Sequence, residues 1–220
     1  RRIRIVVAYD GTNYCGWQIQ PNGITIEEIL NRQISKLTGE DIRIIGASRT
    51  DSGVHALGNV AVFDTESRIP GDRFAYALNQ KLPEDIVIVR SDEVQIDWHP
   101  RYQNEISKTY EYHIYNAKVR NPLKNRYSTF VSFDLDVEKM RQGAKYILGE
   151  HDFASFCNVR TNAKDTVRTV HEITIKEIPM DKFQASNWGH EKSNLENEKE
   201  IVIRVTGNGY IIWFVSLPER

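Results

Sequence analysis

Arg2-Ile3-Arg4-Ile5-Val6-Val7-Ala8 alternates in character, with Ile3, Ile5 and Val7 on one face of an extended segment and Arg2 and Arg4 on the other. Successive strand side chains point to opposite faces, so the stretch predicts a half-buried strand. It runs into Tyr9-Asp10-Gly11-Thr12-Asn13-Tyr14-Cys15-Gly16-Trp17-Gln18, where Asp-Gly marks a tight turn and Trp17 and Gln18 are candidates for packing or ligand contact. A helix follows. Thr25 is a good N-cap with Glu28 three residues on, a capping box, and Ile26, Ile29, Leu30, Ile34 and Leu37 recur at helical spacing until Gly39 stops the run. Residues 42–45 predict a short strand and residues 58–63 another. Pro70 and Gly71 precede a second helix carrying Phe74, Ala75 and Leu78; Pro83 ends it, and Ile86, Val87, Ile88 and Val89 read as a buried strand. Strand, helix, strand, strand, helix, strand is the split βαβ order of a ferredoxin-like unit.

A polar link from Asp97 to Glu105 marks a boundary, dividing the chain into an N-terminal half, 1–104, and a C-terminal half, 105–220. The second half opens on Lys108-Thr-Tyr110-Glu-Tyr112-His-Ile114-Tyr115, a strand with Tyr110, Tyr112 and Ile114 on one face. Residues 127–133 predict another strand. Asp136 then caps a helix with Val137, Met140, Ala144, Ile147 and Leu148 inward, ended by Gly149. Residues 167–178 and 201–205 are the last clear strands, on either side of a polar, acidic insert. The fold class is therefore α+β, with strands laid over a few helices in each half and a repeat of layout rather than of residues.

With 220 residues, 40% of them hydrophobic, the chain can bury a sizeable core. No apolar run reaches the roughly 18 residues that span a bilayer, and the basic, alternating start is a strand pattern rather than a signal peptide. The absence of an initiator Met points to trimmed ends. Cys15 and Cys157 lie far apart without C-x-x-C pairing, which fits part-buried thiols in a reducing cytoplasm rather than a disulfide framework or zinc site. Net charge is only −1, but its distribution is uneven. Lys118, Arg120, Lys124 and Arg126 crowd one loop, Arg160, Lys164 and Arg168 form a second group, and Glu191, Glu196, Glu198 and Glu200 gather late in the chain. These make either one cationic face or two solvated loops.

Chemistry concentrates in Ser48-Arg49-Thr50-Asp51-Ser52-Gly53-Val54-His55-Ala56, between two strands. Taken alone, Arg49 and Asp51 could be an ordinary surface ion pair. A rigid connection between strands is also where scaffolds hold functional side chains. The six histidines, His55, His99, His113, His151, His171 and His190, are scattered and lack metal-ligand spacing. No G-x-G-x-x-G follows a strand, no P-loop is present, and no nucleophile elbow supports a Ser-His-Asp set. What remains is a carboxylate used without metal or cofactor: held by a nearby arginine, it can attack a sugar anomeric carbon or an activated ring. Tyr110 offers a stacking platform for a base and the basic loops offer phosphate contacts, which together point to chemistry on an RNA nucleotide.

Several blocks, in order, resemble the tRNA pseudouridine synthase A family. They are Tyr9-Asp10-Gly11-Thr12 with Gly16-Trp17-Gln18-x-Gln20, Arg49-Thr50-Asp51-Ser52-Gly53-Val54-His55-Ala56, Leu78-Asn79-x-x-Leu82-Pro83-x-Asp85-Ile86, Lys108-x-Tyr110-x-Tyr112, and Gly149-x-His151-Asp152-Phe153-x-Ser155-Phe156. The resemblance implies two α/β halves sharing an extended, mainly antiparallel sheet, with helices on one face and the active cleft between the halves of a homodimer subunit. It implies isomerisation of uridine to pseudouridine in the anticodon arm of tRNA, in the cytoplasm, with no cofactor, metal or membrane partner. Asp51 is then the nucleophile, Arg49 extrudes the base and takes its place in the stack, Tyr110 stacks on the extruded uracil, and Arg101 and Lys108 hold phosphates. His55 is read as packing or bonding within the loop.

The resemblance departs near the end. The family continues with an aromatic residue, a short apolar run and Met-Val-Arg, whose arginine pairs with the catalytic aspartate; here the chain reads Tyr210-Ile-Ile-Trp213-Phe214-Val215-Ser216. A gap-free alignment places Ser216 at the arginine; alternatively Tyr210 to Val215 matches the family's final strand and the block between is missing. An RNA-binding homologue with impaired catalysis is therefore the second reading. A glycoside hydrolase, needing a further acid carboxylate, is the third.

Overall fold

A computed structural model describes residues 1–102, 107–156, 166–179 and 198–208. Cys157, Arg160, Lys164, His190, Glu191, Glu196, Ser216 and the rest of the C-terminal segment from Gly209 lie outside the described residues, as does the end of the link after Tyr102. The chain forms two compact units, Arg1–Ile106 and Ser107–Arg220.

The first unit contains β1 (Arg2–Tyr9), α1 (Ile26–Thr38), β2 (Ile45–Gly46), β3 (Ala56–Asp64), α2 (Phe74–Asn79) and β4 (Ile86–Val94). Its sheet runs β2-β3-β1-β4 with every neighbouring pair antiparallel, the ferredoxin-like order expected from the chain. Ile3, Ile5, Val7 and Tyr9 face inward from β1 and form one apolar cluster with Ile26, Ile29, Leu30 and Ile34 of α1 and Phe74 and Leu78 of α2. Both helices therefore cover the same face of the sheet. On the other face Arg2 lies opposite Asp64 of β3 and Arg4 opposite Asp92 of β4, at 2.7 and 2.6 Å. Such pairs contribute about 0–1 kcal/mol each, against about 1.5–3 kcal/mol for each buried Ile, so the apolar face holds β1 in place. Helix α1 begins and ends where its caps lie. The Thr25 hydroxyl accepts from the Glu28 N–H at 3.3 Å, and Gly39 takes the left-handed conformation at φ 77° while its N–H donates to the Ser35 carbonyl.

Two expectations differ here. Residues 42–45 are strand only at Ile45, because the N–H groups of Ile42 and Ile44 donate to the side chains of Ser35 and Asn31 on α1, at 2.9 Å each, rather than to a neighbouring strand. In β4, Ile86 and Ile88 are buried but Val87 and Val89 face solvent, so the run of four apolar residues is one-sided, as suits a strand at the sheet edge.

The second unit contains β5 (Lys108–Asn116), β6 (Thr129–Val131), α3 (Val137–Ala144), β7 (Gly149–Asp152), β8 (Val167–Pro179) and β9 (Lys199–Gly207). Its sheet runs β6-β5-β9-β8-β7, with β5 and β6 parallel and the other pairs antiparallel. Among the described residues the ladders thus make two sheets, one in each unit, within the α+β class. The order of the first unit is not repeated, because turns rather than a helix connect β5 to β6 and leave them side by side. Helix α3, capped by Asp136, packs Val137 and Met140 on Ile114, Val131, Ile201, Ile175 and Ile203. It stops at Ala144, short of the expected end. Gly143 weakens the last turn, and the chain tightens into bonds from Lys145 N–H to Gln142 O and from Tyr146 N–H to Gly143 O, leaving Leu148 exposed.

Of the late acids, Glu198 and Glu200 are described, and Glu200 is tied to the basic loop. Glu200 accepts from His113 at 2.8 Å and Lys124 at 2.9 Å, Glu198 accepts from the Tyr115 hydroxyl, and Arg120 lies over the Phe130 ring at 5.1 Å. Burial alone would raise the Glu200 carboxyl, but bonds from His113 and Lys124 hold it below its ordinary 4.5. A carboxyl lowered by folding stabilises above its unfolded pKa, and the gain is lost as pH falls through the folded value. The difference in unfolding midpoint between wild type and Glu200→Gln is therefore expected to be full at pH 6 and to shrink below pH about 4.5, in thermal scans across that range.

Candidate active site

Residues 47–55 connect β2 to β3. The ladder pairs Ile45 with Val62 and Gly46 with Ala61, the Ala47 N–H donates to Val60 O at 2.7 Å, and the Asn59 amide donates to Ser48 O at 3.1 Å. Past Ser48 the loop leaves the sheet and is held by the connection between β1 and α1. Thr50 O accepts the Trp17 N–H at 3.0 Å and Thr50 Oγ1 lies 2.7 Å from the Tyr9 hydroxyl. Tyr14 O accepts from the Gly53 N–H at 3.3 Å and from Ser52 Oγ at 3.2 Å, while the Val54 N–H closes a turn on Asp51 O at 3.2 Å. His55 Nδ1 accepts the Gly11 N–H at 3.1 Å, beside the Asp10 carboxylate at 3.0 Å, so this imidazole ties the loop to the β1 turn.

That docking depends on Gly16. Its φ is 81°, and a Cβ there would stand 2.5 Å from Thr50 O and 3.1 Å from the Asp51 carbonyl carbon. A side chain must therefore accept left-handed strain and push the Asp51 backbone away. Left-handed strain on a non-glycine residue costs about 1–3 kcal/mol before the clash is counted. Gly16→Ala is expected to lower the unfolding midpoint by at least about 4 °C, read by calorimetry, because about 1 kcal/mol moves a domain of this size by that much.

Beneath the loop lies an aromatic floor. Trp17, 2% exposed, packs its ring 5.9 Å from that of Tyr9, so it is a core residue; Gln18 remains exposed. The Tyr14 hydroxyl donates to Asp85 Oδ1 at 2.6 Å and the Asp10 N–H to Asp85 O at 2.9 Å. Burial, and then the Asp85 carboxylate, push the Tyr14 phenol well above its usual range. Asn79 bonds both the N–H and the carbonyl of Ile88, fastening α2 to β4. The block from Leu78 to Ile86 thus braces the floor from below.

Arg49 and Asp51 are both exposed at the loop surface, and among the described residues they form no ion pair with each other. Arg101 is brought to the base of the same hairpin, where its Nε donates to Gly46 O at 2.8 Å. Lys108 and Tyr110 belong to the second unit, both half-buried on β5, with Tyr110 on the face that carries Tyr112 and Ile114. Among the described residues no group of three His, Cys, Asp or Glu side chains is arranged to hold a metal ion, and no helix is long and apolar enough to cross a membrane. Tyr9, Asn59 and Thr50 are contributors that composition does not reveal. One signal for them exists: Asn59 shares the inward phase of β3 with Ala61 and Phe63, where a polar residue needs a reason.

Comparison with known proteins bears directly on this loop. The profile of the tRNA pseudouridine synthase family matches residues 5–103 and 144–212, which include the whole hairpin. A tRNA pseudouridine synthase A of Acetivibrio thermocellus is 47% identical over 190 residues, 86% of this chain and 78% of that protein. One of a Thermoanaerobacter species is 41% identical over 217 residues, 99% of this chain and 81% of its own length. A tRNA pseudouridine synthase A 2 of Clostridium perfringens is 48% identical over 176 residues, 80% of this chain and 72% of the relative. With a match of this extent on a mixed α+β fold, the chain belongs to the tRNA pseudouridine synthase family.

Proposed function

We propose that the protein isomerises uridine to pseudouridine in the anticodon arm of tRNA, with Asp51 as nucleophile. One observation supports this above the rest: the loop carrying Asp51 is fastened to the β1–α1 connection by the Trp17 N–H, the Tyr9 hydroxyl and the Tyr14 carbonyl, while Asp51 itself stays exposed. A rigid backbone under an accessible carboxylate is what a nucleophile needs.

The reaction breaks the N1–C1′ bond of uridine and makes a C5–C1′ bond. The C5 proton leaves to solvent and N1 gains one, so atoms balance without oxidant or cofactor. Attack by Asp51 on the anomeric carbon or on the ring forms a bond that breaks again when the base rejoins through C5, regenerating the carboxylate. A stacked uridine is out of reach, so Arg49 extrudes it and fills the gap, and Tyr110 stacks on the uracil. Arg101 and Lys108 hold phosphates, by charge and shape rather than by sequence. The working form is a cytoplasmic homodimer.

A second reading is an RNA-binding homologue with impaired catalysis, favoured by Ser216 standing at the position of the family's C-terminal arginine in a gap-free alignment. Anticodon-arm transcripts carrying tritium at uracil C5 separate the two. Release of tritium supports the synthase; binding without release supports the degenerate binder.

A further inference from the structure

We infer that Tyr9 is a positioning residue: its buried hydroxyl, together with Asn59, clamps the backbone on both sides of Arg49 and so sets where Arg49 and Asp51 present their charges. The inference rests on the roles given to Arg49 and Asp51 above.

The Tyr9 ring is 5% exposed and shares the core with Trp17. Phe would fill the same apolar space, so packing alone does not call for the hydroxyl. An unpaired buried hydroxyl costs about 1–3 kcal/mol, and this one is paired with Thr50 Oγ1 at 2.7 Å, in a segment 41 residues away. Burial raises the Tyr9 phenol, so it keeps its proton, and in its pair with Thr50 Oγ1 either hydroxyl can donate. The Asn59 amide donates to Ser48 O at 3.1 Å. Ser48 is therefore held on one side of Arg49 and Thr50 on the other. Thr50 is held twice, since its carbonyl also takes the Trp17 N–H at 3.0 Å. The clamped residues flank Arg49 and immediately precede Asp51, while both charged side chains remain at the surface. With the backbone bracketed in this way, each charge swings only about its own side-chain torsions. Without the Tyr9 hydroxyl the loop keeps its backbone bonds but loses the side-chain tie next to the nucleophile.

The test is a single-turnover tritium-release assay with saturating enzyme on an anticodon stem-loop, for wild type, Tyr9→Phe, Thr50→Val, Thr50→Ser and the Tyr9→Phe/Thr50→Val double variant. RNA affinity and unfolding midpoint are measured alongside. One lost hydrogen bond of ordinary strength predicts a rate about tenfold lower for Tyr9→Phe and for Thr50→Val. Because both remove the same contact, the double variant is no slower than the worse single one. Thr50→Ser, which keeps the hydroxyl, restores most of the rate, and RNA affinity stays within about twofold throughout, as a rate-only effect requires. An unchanged rate for Tyr9→Phe, or a loss that follows RNA affinity or unfolding midpoint, overturns the inference while wild-type release leaves the functional reading standing. No release from wild type overturns both.

Discussion

Asp51→Asn is expected to stop tritium release, by on the order of 10⁴-fold or more, while leaving the fold and RNA binding intact. The magnitude is what loss of a nucleophile acting at the reacting centre produces. Asn is nearly isosteric, and Asp51 is exposed, so no buried packing is disturbed. The backbone bonds that place it, from the Val54 N–H to Asp51 O and from the Trp17 N–H to Thr50 O, do not involve its side chain. Removing a negative charge beside RNA phosphates leaves affinity equal or slightly tighter. Asp51→Glu is also expected to be poor. It keeps the charge but moves the carboxylate by one methylene, and a misplacement of about 1 Å can cost 10²-fold. Stem-loop binding by anisotropy and release by scintillation counting, on the same preparations, check each part.

Arg49→Ala carries the second large effect. Unstacking and unpairing a nucleotide costs a few kcal/mol, and a side chain that fills the vacated place repays it. Its loss is expected to slow release about 10²- to 10³-fold when the target uridine is paired in a stem, and much less when the same uridine lies in an unpaired strand. Arg49→Lys keeps the charge but not the planar guanidinium that stacks on bases, so it recovers affinity better than rate. A phosphate-contact role predicts the opposite: equal losses on paired and unpaired targets, largely recovered by Lys. Because Arg49 makes no ion pair with Asp51 among the described residues, neither variant removes a salt bridge between the two.

Local patterns carried the first unit far. The alternation of Ile3, Ile5 and Val7 against Arg2 and Arg4 was legible because a strand repeats every two residues, and α1 was legible at both ends because Thr25 and Gly39 act through contacts within a turn. Apart from the early end of α3, which is local to Gly143, the misreadings share another cause, since they depend on partners outside the segment itself. Residues 42–44 look like a strand until Asn31 and Ser35 of α1 take their N–H groups. Val87 and Val89 look buried until β4 takes an edge position. The order β6-β5-β9-β8-β7 reflects pairings that no window of sequence contains. At the site, Arg49 and Asp51 stood out as charges in a polar connection between strands, and the family resemblance supplied their roles. Tyr9, Trp17 and Gly16 were visible as letters, but their grip on Thr50 was not, because that contact joins the first turn of the unit to a loop more than thirty residues later.

Nucleoside analysis of the product tests the central claim most directly. The purified full chain is incubated with an anticodon-arm transcript, the RNA is digested to nucleosides, and uridine, pseudouridine and free uracil are quantified by chromatography. Loss of uridine matched by gain of pseudouridine, with no free uracil, is the result predicted for wild type, and Asp51→Asn should leave uridine untouched. Free uracil in place of pseudouridine would make the carboxylate a hydrolytic one, and unchanged uridine in RNA that the protein binds would make it a binder; either would contradict the synthase.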